Sequence, residues 1–496
     1  VESISVLTAD HDLIVYDLGA AAVRSVFVGG QILRVAQGRL RTFNAAGRAV
    51  GSDWTADPAL RLAAKNGDTD AERPEFQFRG YDRLDDGVRI RSEARFPSAT
   101  IPMSETIRVI RDGANGQLVL EWRFADVPTR RTIELASRVP TEVSLDDRAT
   151  VGAAELVRTE SLVTIRLSPD ATGAATVRMR ISLPASETPL DTKWATVVDP
   201  GNLDGSLVRP GYRAIAYPRP KTSSGEDLIM PVAIAANPLD GRVFVASTKL
   251  GELFTVVDPT DDGSEARFQN YARGLFQEPY SMLAEPDALY VLHRRNLTRI
   301  VDSNQDGFAD RFDRVYGTPQ GVADAYDYGY GLVRDPDGSF VFTLAPHANQ
   351  QLPGAGNALR LSPGGGEPEV VAYGFRNPLG WCSGPDGETF FTDNQGEWVA
   401  TNKLCHLAPG RFFGYPNQKQ REHTSKPAGR AAIWVPYDWA HSINGVTYDS
   451  TGGKFGPFAG QIFMAELMFG GAIIRANLER VNGEYQGACF PFWGKG

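Results

Sequence analysis

Cysteine is scarce in this chain: three residues in 496, Cys382, Cys405 and Cys489. Three make neither a disulfide framework nor a metal-ligand spacing. Cys405 precedes His406 but no cysteine stands three residues before it, so a covalent c-type haem has no attachment site here. Cys382 and Cys405 are read as a pair of inert buried thiols, with one disulfide between them as the alternative. Histidine is also sparse. The six, His11, His293, His347, His406, His423 and His441, show no HExxH-like pairing, so a zinc hydrolase has no support. A GxSxG elbow and a phosphate-cradling glycine loop are both missing.

Basic charge is not in surplus. The formal charge is -9 and the pI about 5.4, which argues against a nucleic-acid partner and against an anionic membrane surface. Long apolar runs are lacking too. The longest, 461–478, is interrupted by Glu466 and Arg475 and is too short and too broken for a transmembrane helix. The chain starts at Val1 without methionine or an apolar leader, as a mature exported protein or an internal fragment would.

What is present is short strands. Val88-Arg89-Ile90-Arg91, Thr106-Ile107-Arg108-Val109-Ile110, Leu118-Val119-Leu120-Glu121-Trp122 and Val177-Arg178-Met179-Arg180-Ile181 alternate apolar and polar residues. This is the period of half-buried antiparallel strands. Residues 1–184 are therefore expected to form a β-sandwich-like domain, and the Pro-, Gly- and Ser-bearing stretch 185–227 a linker. Beyond it, an Asp-containing turn followed by an apolar strand recurs at Asp240, Asp287, Asp337 and Asp386, 47, 50 and 49 residues apart. A fifth, longer unit runs from Ile443 to Phe492. Such a period predicts propeller blades, since one four-stranded blade cannot bury both its faces until neighbours stack on it. The fold class expected is all-β, with residues 228–496 a β-propeller of six-bladed type showing five blades. A second sandwich with coincidental spacing is the alternative.

One motif predicts a cation. In the run from Asp302 to Asp313, oxygen-bearing side chains fall at loop positions 1, 3, 5, 9 and 12 (Asp302, Asn304, Asp306, Asp310 and Asp313), with Gly307 at 6 and the Phe308 carbonyl at 7. That is the spacing of an EF-type calcium loop, with Asp in place of Glu at its end. Trp381, Trp398, Trp434 and Trp439 crowd the last third, where they read as blade packing or as walls for a sugar or flat cofactor.

Several phrases resemble a known family. Pro210-Gly211-Tyr212-Arg213, Gly374-Phe375-Arg376-Asn377-Pro378-Leu379-Gly380, Thr392-Asp393-Asn394-Gln395-Gly396-Glu397-Trp398, Lys454-Phe455-Gly456-Pro457-Phe458 and Asn482-Gly483-Glu484-Tyr485 are similar to the PVC-type membrane-bound dehydrogenases of bacteria. The likeness runs from about residue 208 to the end. It implies export to the periplasm or the extracellular side and a c-type cytochrome domain or subunit as electron acceptor. It also implies a propeller like that of the soluble quinoprotein glucose and sorbosone dehydrogenases, which use pyrroloquinoline quinone (PQQ) and calcium on a sugar or alcohol hydroxyl. On that resemblance Arg376 and Asn377 match the Arg-Asn pair that holds the quinone, a guanidinium suiting its carboxylates. Gln395, Gly396 and Glu397 match the turn whose carbonyls hold the cofactor's calcium, with Glu397 where proline is usual. Asp327 stands where the catalytic histidine is expected. A desolvated carboxylate can act as base, but the exchange equally suits a propeller without oxidation chemistry that serves as a binding or scaffolding subunit. A hydrolase or lyase acting on polysaccharide is a third reading. Five units against six further predict that the N-terminal domain, a second chain or further sequence completes the ring.

Overall fold

The computed structural model describes most of the chain between Ser3 and Gly494. The longer stretches outside the description are 65–70, 186–196, 201–208, 222–230, 318–327, 346–353, 395–400 and 416–427. The described chain is all-β: one short 3-10 turn, Asp147–Ala149, is the only helical element among the described residues. It divides into two units, residues 1–193 with 300–314, and residues 194–299 with 315–496.

The first unit is built on three antiparallel sheets. One contains Ser3–Leu7, Leu13–Asp17, Ala22–Gln37 and Leu40–Ala49 in that order. A second orders Ala153–Arg158, Val163–Ser168, Arg131–Ser137 and Thr55–Ala64. The third runs Val143–Leu145, Ala175–Leu183, Asn115–Phe124, Thr100–Asp112, Gly87–Arg95 and Glu75–Leu84. Gly87–Arg95 and Ala175–Leu183 bury every second residue, as their alternation predicts. All three sheets send side chains into one core, Ile14 from the first, Ile133 and Ile165 from the second, and Ile90, Leu120 and Val177 from the third. Each such side chain contributes about 1.5–3 kcal/mol on burial.

The segment 300–314, expected from sequence within the propeller, groups instead with this unit. Its residues Arg311, Phe312 and Asp313 pair with Asp82, Tyr81 and Gly80 at the edge of the third sheet. Tyr81 stacks on Phe312 at 4.3 Å. Gly80 has no side chain because the Phe312 carbonyl occupies its place, 2.1 Å from where a Cβ would stand.

The second unit holds a short hairpin, Val197–Asp199 with Arg219–Lys221, and four four-stranded antiparallel blades, 231–272, 329–373, 381–434 and 443–493; the blade second in chain order, 279–317, has the same four strands but shares 300–314 with the first unit and continues its third sheet, so that the sheet has ten strands. Asp-Gly turns close the first two strands of blade 3 as the sequence pattern implies: Asp337 accepts the Ser339 N–H at 2.9 Å and Gly338 takes φ +83°. The first strand of each blade packs on that of the next, Pro231–Ala236 on Pro279–Glu285, then Gly329–Arg334, Trp381–Ser383 and Ile443–Tyr448. Among the described residues no comparable packing joins the fifth of these to the first.

Blades 4 and 5 share a core of Cys382, Phe390, Leu404, Ile443, Met464 and Ile474, whereas Cys405 belongs to the core between blades 3 and 4 with Phe375, Trp381 and Phe391. The two cysteines thus lie on opposite faces of blade 4, which rules out the disulfide between them. Burial pushes their thiols up to about 12 for Cys382 and about 11 for Cys405, so they are inert. Trp381 and Trp439 are likewise blade packing, Trp434 is exposed, and Trp398 lies outside the described residues.

Candidate functional site

Stacking places the starts of successive inner strands side by side, so residues about fifty apart become neighbours. Ser281, Gly331 and Trp381 show the rule. The Gly331 N–H donates to Ser281 Oγ at 2.8 Å, and the Trp381 ring fills the space of the missing Gly331 side chain. One residue earlier, Tyr280 and Tyr330 meet at 5.5 Å between ring centroids, and Tyr328 lies 4.7 Å from Tyr280. The three rings form a buried cluster with Ala345 and Leu379. Arg294, at the hairpin between the second and third strands of blade 2, lays its guanidinium over Tyr328, 5.1 Å from the ring centre.

Burial raises the Tyr330 phenol well above its ordinary value, and Tyr280 and Tyr328 add to this; the positive charges of Arg294 and Arg376 act in the opposite direction.

Arg376 and Asn377 lie just before the inner strand of blade 4, and Asp393 holds their turn. Asp393 accepts the Arg376 N–H at 3.2 Å and the Asn377 N–H at 2.8 Å. Asp393 is fully buried. Desolvation raises its pKa, opposed by Lys403, by these two amides and by the Arg376 charge. Lys403, buried beside it in the strand register, donates to the Phe413 carbonyl. The next residue, Asn394, donates to Ser442 Oγ at 3.1 Å, and Ser442 donates to Asn444 at 2.8 Å. The side-chain oxygen of Asn394 is buried and accepts from no donor among the described residues.

Of the residues expected to form a site, Arg376 and Asn377 are thus placed together at this end of the inner strands. Asp327, Gln395, Gly396 and Glu397 lie outside the described residues. The cation loop is partly gathered. Asp302 accepts the amides of Asp306 at 3.2 Å and Gly307 at 2.9 Å, Asn304 accepts that of Asp306, and Asp306 accepts that of Phe308 at 2.8 Å. Asp310 instead receives the amide and hydroxyl of Ser303. Asp313 is not brought to the others: its strand pairing aims it at Arg91, 2.7 Å away, and at Arg311. Among the described residues no group of three His, Cys, Asp or Glu side chains is arranged to hold a metal.

Sequence reasoning missed Tyr280, Tyr328, Tyr330 and Arg294. The tyrosines carried a signal, since Tyr280 and Tyr330 are fifty residues apart at equivalent blade positions. Arg294 had none, because its role depends on a hairpin conformation.

No family model matches the chain, and no curated protein matches it significantly. Among solved structures, it is similar to a PQQ-bound aldose sugar dehydrogenase from Streptomyces coelicolor, at 20% identity over 53% of this chain and 81% of that one, with TM-score 0.38. It is similar to the holo PQQ domain of a pyranose dehydrogenase from Coprinopsis cinerea, at 11% identity over 53% and 78%, with TM-score 0.38. A carbohydrate-active enzyme of family AA12 from Trichoderma reesei shares 12% identity over 62% and 88%, with TM-score 0.39. The fold described above rests on the chain's own sheets.

Proposed function

We propose that this protein is an exported, calcium-containing, quinoprotein-like oxidoreductase, similar to the PVC-type membrane-bound dehydrogenases, that acts on a sugar or alcohol hydroxyl and passes electrons to a c-type cytochrome. The observation that carries the reading is the Arg376–Asn377 turn, fixed by the buried Asp393 beside the tyrosine cluster. Its chemistry fits PQQ: a guanidinium for a carboxylate and flat aromatic walls for a tricyclic ring. When bound, PQQ supplies a two-electron acceptor. Arg376 and Asn377 orient it, the tyrosine rings exclude water, and Asp327 accepts the substrate hydroxyl proton. The unpartnered Asn394 oxygen, one residue before Gln395, Gly396 and Glu397, suits a hard cation at that turn. A calcium at Asp302, Asn304, Asp306, the Phe308 carbonyl, Asp310 and Asp313, as the loop spacing suggests, would require Asp310 to leave Ser303 and Asp313 to leave Arg91.

The test is to titrate the full chain with PQQ and calcium, following quinone binding by quenching of tryptophan fluorescence and turnover by dye-linked oxidation of sugars. Arg376→Ala is expected to weaken quinone binding about tenfold or more, the loss of a charge-assisted contact. Asp327→Asn is expected to abolish oxidation while leaving the quinone bound. Absence of quinone binding by the unmodified protein sinks the reading. The second reading, a non-catalytic propeller subunit of an envelope complex, draws on blade 1, where Ile234 is 71% and Leu239 76% exposed. An apolar cleft of about 540 Å³ opens there between Ile234, Val243, Val256 and Phe268, a face that a second chain completing the ring would cover.

A further inference from the structure

The connection between the third and fourth strands of blade 4, Lys403–His406 and Ile433–Trp434, does not stay on its own blade. Its stretch 410–415 turns back and runs parallel to the last strand of blade 3, Glu369–Tyr373. The Gly410 N–H donates to the Val371 carbonyl at 2.7 Å, Tyr373 to Arg411 at 2.9 Å, Phe413 to Tyr373 at 2.8 Å and Tyr415 to Gly374 at 2.9 Å. This brace closes an edge of blade 3 with backbone from blade 4.

The brace ends on the turn that carries Arg376 and Asn377. Gly374 takes φ +80°, and a Cβ there would stand 2.5 Å from the Phe412 ring and 3.0 Å from the Gly414 nitrogen. Phe413 packs on Phe375 at 5.2 Å between ring centres, and its carbonyl accepts from the buried Lys403. The turn is therefore gripped from two sides. Asp393 takes the amides of Arg376 and Asn377, while the brace takes the carbonyl of Gly374 and fills its missing side-chain position.

The brace in turn is held by a third blade. Arg411 donates through both terminal guanidinium nitrogens to the two carboxylate oxygens of Glu484, at 2.8 and 2.6 Å. Glu484 opens the last strand of blade 5. Two parallel charge-assisted bonds fix direction as well as distance. The side chains are 27% and 45% exposed, so dissolved salt reaches the pair and weakens it.

We propose that the brace is a positioning element of the Arg376–Asn377 turn, and that the Arg411–Glu484 pair, reaching from blade 4 to the outer strand of blade 5, sets its grip in a salt-dependent way. The functional consequence rests on the reading of that turn as ligand-holding; the order of the turn itself is measurable without a ligand.

The experiment follows hydrogen–deuterium exchange of 374–380 in the full chain, together with the indole resonance of Trp381, whose N–H donates to the Pro378 carbonyl at 2.8 Å. At low salt Arg411→Gln and Glu484→Gln are each expected to raise exchange of 374–380 about two- to fivefold, the effect of a half-exposed pair. Each is expected to move the Trp381 signal while Trp54 and Trp122 in the first unit keep theirs. The double variant should go no further than either single one, because both remove the same contact. Arg411→Lys, which keeps the charge without the fork, should retain part of the protection. Raising the salt from about 0.01 M to about 1 M is expected to loosen the turn of the unmodified protein and to leave the two Gln variants as they are. Exchange that rises in 410–415 and 484–493 but not in 374–380, additive effects of the two substitutions, or an unchanged salt response in the variants overturns the proposal. A protein that binds no PQQ but shows the coupled response loses the oxidoreductase reading and keeps the brace. PQQ bound by a protein whose turn ignores both substitutions does the reverse.

Discussion

Buried charge at single residues is where this molecule departs from an ordinary β core. Glu105 sits in the first unit on the inward face of its strand, opposite Trp122, 1% exposed, and neither carboxyl oxygen has a hydrogen-bond partner of good geometry. Burial pushes its pKa up to about 8, with Tyr16 and Trp122 opposing the shift. A carboxyl raised in the folded state binds a proton that the unfolded chain has released. Its contribution is therefore fully present below the ordinary carboxyl range and is lost as the pH climbs through about 8. Stability is expected to fall by roughly 1.4 kcal/mol per pH unit from this group between those limits and to level off above them. Glu105→Gln should remove that slope, read as the difference between variant and unmodified protein in denaturant midpoints from pH 5 to 9. A slope unchanged by the substitution would show that Glu105 is not its source. Nothing in the alternation of Thr100–Asp112 marks this glutamate, because a polar residue at an inward position reads as a break in the pattern rather than as a buried acid.

At the scale of elements, periodicity made the strands legible and contact made the rest invisible. The runs around Val88, Ile107, Leu118 and Val177 are strands with their alternate residues inward, and the recurring Asp turns mark blades. The grouping of 300–314 with the first unit was not legible, since it depends on Tyr81 meeting Phe312 across more than two hundred residues of chain. Of the site, Arg376 and Asn377 were readable from their motif, whereas Asp393, in the separate run from Thr392 to Trp398, carries no sequence sign that it fixes them. The joint between blades 3 and 4 is equally hidden in sequence. Gly331 has φ +63°, and a Cβ there would stand 2.1 Å from the ring of Trp381, which stacks on Phe391 and donates its indole N–H to the Pro378 carbonyl. Gly331→Ala would combine backbone strain with overpacking and is expected to cost about 3 kcal/mol. Gly364→Ala, at an open position without left-handed backbone, should be near neutral. Urea unfolding of the two variants side by side makes the comparison, and equal midpoints would refute the joint.

Across the second unit, the blades leave two sheet faces without a neighbouring blade among the described residues, and the chain treats them differently. On blade 5 the face away from blade 4 is covered by its own aromatic residues and by the segment that precedes blade 1. Tyr212 stacks among Phe455, Phe458 and Phe492 and donates its hydroxyl to the Phe455 carbonyl at 2.8 Å. Arg209 donates to the carbonyls of Pro491 and Phe492 and lies over the Phe492 ring. Gly456 leaves room for the tyrosine, because a Cβ there would stand 2.1 Å from its hydroxyl. The strap thus joins residues more than two hundred positions apart and holds the last strand, Glu484–Trp493, whose outer side has no further strand among the described residues. Unpaired edges fray and invite association, so a strap that pins one has a measurable effect on local opening. Tyr212→Ala removes a large aromatic contact and is expected to cost about 3 kcal/mol. The loss should be concentrated in blade 5. Hydrogen–deuterium exchange is expected to rise in 484–493 and 472–481 while the amides of blades 2 and 3 keep their protection. A uniform rise over all five blades would mean that the strap stabilises the unit globally, and no rise at all would mean that the edge strand is held by its pairing with Ala472–Val481 alone.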